Sequence, residues 1–192
     1  MNGELEIAVA ALESLAQRDE IMDRERRQQL ERDYESLWNE FGVSLARLAS
    51  SYEYLPQARE DLLQEIRLAL WTALPKFRGD CSLRTFVYRI AHNRAMTHLW
   101  RRKVQPVTEE EPPDVTDPKA NPERSAIQNA NHAKLMAAIR KLPLPFRQVI
   151  TMTLEELPQS EIAAVLGISE NNVAVRLNRA RKLLREQMGE KS

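Results

Sequence analysis

The chain has 192 residues, 43% of them hydrophobic, and its 28 Lys and Arg are balanced by 28 Asp and Glu. That length suits one or two small domains with real cores, the composition excludes a wholly disordered chain, and a neutral total specifies no nucleic-acid partner by itself. One cysteine, Cys81, excludes a disulfide framework and a cysteine metal cluster, and no basic leader or long apolar run appears, so a soluble, cytoplasmic protein is expected.

The first elements read as helix. Residues 4–18 put Leu5, Val9 or Ala8, Leu12, and Leu15 or Ala16 on one side, and a charged stretch over 19–32 leads into the stripe Tyr34, Leu37, Trp38 and Phe41. Gly42 interrupts the pattern, and Leu45, Leu48, Ala49 and Tyr52 resume it. A helix is expected over 58–74, with Leu62, Leu63, Ile66, Leu70, Trp71 and Leu74 inward and Asp61, Gln64 and Glu65 elsewhere. Pro75 ends it, and residues 76–82 form a loop in which Gly79 supplies backbone freedom.

A further helix runs from Leu83 to about Arg102, with Phe86, Val87, Ile90, Ala91 and Leu99 available to a core. Arg84, Arg89, His92, Asn93, Arg94, His98, Arg101, Arg102 and Lys103 give it a long basic exposure, interleaved with Phe77, Phe86, Tyr88 and Trp100. Cations mixed with flat side chains suit a single strand of nucleic acid, although Phe86 and Tyr88 also fit plain core. His92 and His98 have no third donor nearby, and no metal or other cofactor is expected.

Between Val104 and Asn121 the helical pattern stops. Glu109, Glu110, Glu111, Asp114 and Asp117 alternate with prolines in an acidic, extended linker unable to bury a core. Helices resume with Leu135, Ile139 and Leu142, then Phe146, Val149, Ile150 and Leu154. Residues 160–169 make a short helix stopped at Gly167, and Ser169 can cap a second helix whose inward stripe is Val173, Leu177, Ala180 and Leu184. That is helix-turn-helix spacing. Its outward face carries Asn171, Asn172, Val175, Arg176, Asn178, Arg179 and Lys182, with no acid between Glu170 and Glu186, which suits base edges and phosphates.

Two motif sets in order carry a resemblance. Asp61-Leu62-Leu63-Gln64-Glu65-Ile66, Leu74-Pro75-Lys76-Phe77-Arg78-Gly79-Asp80 and Arg84-Thr85-Phe86-Val87-Tyr88-Arg89-Ile90-Ala91-His92-Asn93 resemble region 2 of the extracytoplasmic-function RNA polymerase sigma factors of the sigma-70 family. Leu142-Pro143, Phe146-Arg147, Glu161-Ile162-Ala163, Leu166-Gly167-Ile168, Asn172-Val173 and Arg176-Leu177 through Ala180-Arg181 resemble its region 4.

The resemblance implies roles position by position. Asp61, Leu62, Gln64 and Glu65 fall where the family docks on core polymerase, through the clamp helices of the largest subunit, with the beta subunit as a further contact. Asp80, Cys81, Ser82, Leu83 and Arg84, with Asn93 and Arg94, match the pocket for a flipped base of the −10 element. Asn171, Asn172, Val175, Arg176, Asn178 and Arg179 fall where the family reads the −35 element. Leu83 stands where an aromatic is frequent, Phe86 where tryptophan is, Cys81 where serine is, and Ala174 and Val175 where a basic residue and a serine are.

The expected architecture is all-α, two helical domains joined by an acidic Pro-rich linker: a helical extension over 1–35, region 2 over 36–104, linker over 105–123, and region 4 over 124–192. The implied function is non-enzymatic: a transcription initiation subunit that binds core RNA polymerase and promoter DNA and helps open the duplex. An anti-sigma factor is a further partner that the resemblance admits. A stand-alone helix-turn-helix regulator, binding its operator as a dimer, is the alternative reading of the carboxyl-terminal half, and a helical protein-binding adaptor is another.

Overall fold

Good helix formers and apolar residues every third or fourth position produce an all-helical chain. The computed structural model describes the backbone of residues 2–104 and 124–189 and the side chains of residues 21–102 and 133–189. The acidic linker, the apolar stripe of residues 4–18 and the Lys103 side chain lie outside the described residues. The elements are α1 (Asn2–Tyr52), α2 (Pro56–Ala73), a 3-10 turn (Leu74–Lys76), α3 (Leu83–Val104), α4 (Arg124–Lys141), α5 (Leu144–Leu154), α6 (Gln159–Leu166) and α7 (Glu170–Met188). None of the described helices is long and apolar enough to cross a membrane.

The chain divides into two compact units, residues 1–42 and 43–192. In the first, residues 21–29 and 31–33 are exposed, and the helix is supported there by local pairs: Gln29 donates to Asp33 at 2.8 Å and Arg32 to Gln29 at 2.9 Å. The interruption expected at Gly42 does not occur, because α1 continues through it. A Cβ on Gly42 would sit 3.0 Å from the Trp38 indole, which itself stacks on Tyr34. The glycine makes room for a ring on the preceding turn and leaves the helix intact.

In the second unit, α1 ends at a buried acid. Glu53 is 0% exposed, and its Oε1 accepts the N–H groups of Tyr54 and Leu55 at 2.9 and 3.1 Å, turning the chain into α2, which opens on Pro56. Leu62, Ile66 and Leu70 bury the inner face of α2, which packs on α3, where Val87, Tyr88, Ala91 and Ala95 are buried. Pro75 sits within the 3-10 turn, and Gly79 takes a φ of +79°, a backbone state that glycine adopts without a Cβ penalty. Phe86 leans on Phe77 with ring centroids 4.6 Å apart.

The carboxyl-terminal half packs α5 and α6 on α7, with α4 behind. Ile139, Val149, Met152, Ile162 and Val173 are fully buried, and Leu177 is nearly so. Gly167, at φ +66°, ends α6, and Ser169 Oγ accepts the Asn172 N–H at 3.3 Å to start α7. Helix α6 also packs on α3, so the halves on either side of the linker meet.

Candidate nucleic-acid interface

The turn between α6 and α7 fixes which face of α7 is free. Val173, Leu177, Ala180 and Leu184 are buried, which rotates Asn171, Asn172, Val175, Asn178 and Arg179 into solvent, with Arg176 partly exposed. Arg176 Nε donates to Asn172 Oδ1 at 2.8 Å, one helical turn away. That bond leaves the terminal guanidinium nitrogens to donate in parallel, the geometry that matches guanine O6 and N7 or a phosphate. Val175, 42% exposed, adds an apolar spot of the kind a thymine methyl meets.

A second polar surface lies ahead of α3. Asp80, Ser82 and Arg84 are exposed, Cys81 and Leu83 half-buried, and Asn93 and Arg94 exposed further along the helix. Ser82 caps α3 by accepting the Thr85 N–H at 3.0 Å. Its hydroxyl also donates to Glu161 Oε1 of α6 at 2.7 Å. The loop and Asn93 and Arg94 therefore belong to one helix and its approach, while the α7 face belongs to the other half.

Of the residues on α2, Asp61 and Gln64 are exposed, and Glu65 is paired with Arg101 of α3 at 3.2 Å. Leu62 is fully buried, so it holds the helix in place and offers no surface to a partner. Beside them, Leu68, Ala69, Thr72, Lys76, Arg94 and Arg101 line an open groove of about 490 Å³ between α2 and α3.

The basic exposure expected along α3 is shorter than the sequence suggested. His92 and His98 are buried, and Arg102 turns inward to the Glu53 carboxylate, which His98 Nε2 also approaches at 3.4 Å. Burial would raise the Glu53 carboxyl, but the bonds from Arg102 and the Leu55 N–H outweigh it and hold the group below its usual range. Burial also pushes His92 down to about 4, keeping it neutral at ordinary pH. The solvent-facing cations of this helix, among the described residues, are then Arg84, Arg94 and Arg101, together with Arg89, whose guanidinium donates to the Ala164 carbonyl of α6 at 2.9 Å.

Sequence reading missed the contacts between the halves. Arg47 binds Glu155 through two bonds of 2.8 and 2.5 Å, and Arg140 donates to the Ser50 carbonyl at 3.2 Å. No periodicity marks such pairs, because each side chain is polar and each partner lies far along the chain.

Comparison with known proteins follows the same division. Residues 37–104 match the family described as Sigma-70 region 2, and residues 132–184 that described as Sigma-70, region 4. The RNA polymerase sigma-H factor of Pseudomonas aeruginosa is 32% identical over 138 residues, covering 67% of this chain and 72% of that protein. The RNA polymerase sigma factor CnrH of Cupriavidus metallidurans is 31% identical over 153 residues, covering 74% and 80%. The structure of CnrH in complex with the cytosolic domain of CnrY superposes with a TM-score of 0.63 at 28% identity, over 84% of this chain and 91% of that one. The sigma factor RpoE in complex with the anti-sigma factor NepR, from Bartonella quintana, shares the fold at a TM-score of 0.63 and 20% identity, over 82% and 99%.

Proposed function

Because the chain belongs to the extracytoplasmic-function sigma factors of the sigma-70 family, and so is a non-enzymatic RNA polymerase subunit for transcription initiation, we propose how its surfaces divide that task. Residues 36–104 act as region 2 and residues 124–192 as region 4, with the acidic, proline-rich stretch 105–123 as the tether and residues 1–35 as an added extension. The protein works in the cytoplasm, where the polymerase is.

Asp61, Gln64 and Glu65 present an acidic and amide surface to the clamp helices of the largest polymerase subunit, with Leu62 setting their helix, and the beta subunit takes a second contact. Asp80, Cys81, Ser82, Leu83 and Arg84, with Asn93 and Arg94, receive a base of the −10 element once the duplex parts. Opening costs a few kcal/mol per unstacked step, so a pocket that binds only the parted strand shifts the equilibrium toward it. Asn171, Asn172, Val175, Arg176, Asn178 and Arg179 read the −35 element in the major groove. An anti-sigma protein is a further partner, by analogy with the complex of the sigma factor RpoE with the anti-sigma factor NepR.

The observation that carries this reading is the exposed, acid-free face of α7 in the same chain as a polar loop ahead of a cationic α3. The test is run-off transcription from genomic templates with core polymerase, with and without the protein. Promoter-specific product only in its presence is expected, and equal product in both reactions ends the proposal. A stand-alone regulator would instead footprint its site without polymerase.

A further inference from the structure

The basic and aromatic character read along α3 narrows, in the folded chain, to one ring. Tyr88 is 1% exposed, and Phe77 and Phe86 are half-buried and lean on each other, whereas Trp100 is 67% exposed, the one aromatic side chain standing in solvent among the described residues. Helix periodicity sets its place: Trp100 lies two turns past Asn93, within about 20° of one line and about 10.5 Å along the axis. Thr97, between them on that line, is small and turns its hydroxyl back to the Asn93 carbonyl at 3.0 Å. The ring therefore continues the face of α3 that carries Asn93, beyond the end of the family motif.

The surroundings fit a polyanion. Helix α3 has no acidic residue from Leu83 to Val104, and the two acids of other helices bound at this end, Glu65 and Glu53, are neutralised by Arg101 and Arg102. Arg94 stays exposed on the same helix. A protein surface gripping the ring would need apolar neighbours that exclude water around it, and the exposed residues nearby, Asn93, Arg94 and Arg101, are polar. A nucleic-acid base needs only a flat face to lie on and cations for its phosphates.

We propose that Trp100 is a stacking platform for an unpaired base, so that α3 grips a parted strand at a second point, about three base steps of about 3.4 Å beyond Asn93. The path of that strand from Asn93 rests on the assignment of Asn93 to the −10 element above, and the stacking itself does not. Every base has a π-face, so this contact adds grip without sequence preference and lengthens the run of strand that the helix holds. Bases within a duplex already stack on their neighbours, so the ring favours parted DNA over closed.

The test uses the full chain with Arg176→Ala and Arg179→Ala, which remove two cations of the α7 face. It is titrated at low ionic strength with a single-stranded thymidine twelve-mer and with an abasic strand carrying the same phosphates. Tryptophan emission should fall with the thymidine strand and not with the abasic one. In Trp100→Ala the remaining Trp38 and Trp71, both half-buried, should hold it constant. By fluorescence anisotropy, Trp100→Ala should bind a dye-labelled thymidine strand about fivefold to a hundredfold more weakly, the loss of one base stacked on a ring, and Trp100→Phe should restore most of the affinity. Helicity by circular dichroism should be unchanged. Equal affinity with and without the ring, an equal loss on the abasic strand, or emission that the thymidine strand leaves unmoved overturns the proposal. If Trp100→Ala loses core polymerase in a pull-down at unchanged strand affinity, the ring is a protein contact and the proposal falls. Run-off product reports the sigma-factor reading by itself, so its failure is told apart from failure here.

Discussion

The Glu53 carboxylate joins three helix ends. It accepts the first N–H groups after α1, fixes the start of α2, and receives Arg102 and His98 from the end of α3. Removing one partner of such a buried pair leaves the other unsatisfied, and Glu53→Ala should cost about 3–5 kcal/mol in urea unfolding. A loss under 1 kcal/mol would mean that water replaces the carboxylate at this junction. Because the folded carboxyl lies below its ordinary value of 4.5, its contribution is complete above that pH and is lost as pH falls through the folded value.

His92 gives a second dependence in a separate window. Its folded value is about 4 against an ordinary 6.5, so between those limits the unfolded chain binds the extra proton. The stability this provides is whole above pH 6.5 and declines toward pH 4. Wild-type urea midpoints should therefore fall between pH 6.5 and 5, before carboxylates protonate, and His92→Leu should flatten that slope. On α7, Arg176→Ala should weaken the polymerase–promoter complex by about 1–3 kcal/mol, as a lost bidentate base contact does. Filter binding at fixed salt measures it, and an unchanged affinity removes Arg176 from the reading face.

At the scale of elements, glycine has opposite meanings in α1 and after α6. Gly167 ends a helix at positive φ, whereas Gly42 lies within one because Trp38 occupies the space of its missing Cβ. Gly42→Ala should therefore gain little in the wild type. In a Trp38→Ala background it should gain about 1 kcal/mol of helix propensity, and a double-mutant cycle by thermal unfolding measures the difference. Ser169→Ala should remove about 1 kcal/mol by uncapping α7.

These elements also show what the sequence made legible. The turn at Gly167, the Ser169 cap and the stripe of α7 are local rules, satisfied within one or two turns, and they appear where the spacing put them. The motif order and the loop at Gly79 were equally readable. Gly42 was misread because its reason is a ring packed on it, and His98 and Arg102 because their partner, Glu53, lies on another helix. Polarity alone does not distinguish a solvated cation from one turned inward toward a buried acid.

For the molecule as a whole, the exposed stretch of α1 over 21–29 and 31–33 contributes helix without a core. A chain beginning at Tyr34 should keep the unfolding free energy of the full protein, measured in urea, within about 0.5 kcal/mol, the range of surface changes. A larger loss would assign that stretch a packing role in the folded chain.

The bond from Arg176 to Asn172 bears on how many genes the protein commands. On the proposed reading of the −35 element, a guanidinium tethered at Nε points its fork one way, so a wrong base pair meets a donor that cannot turn aside. Asn172→Ala would untether it and let it settle on several sequences with similar energy. The cell would then see a wider set of transcripts, begun at sites that the tethered fork would have refused.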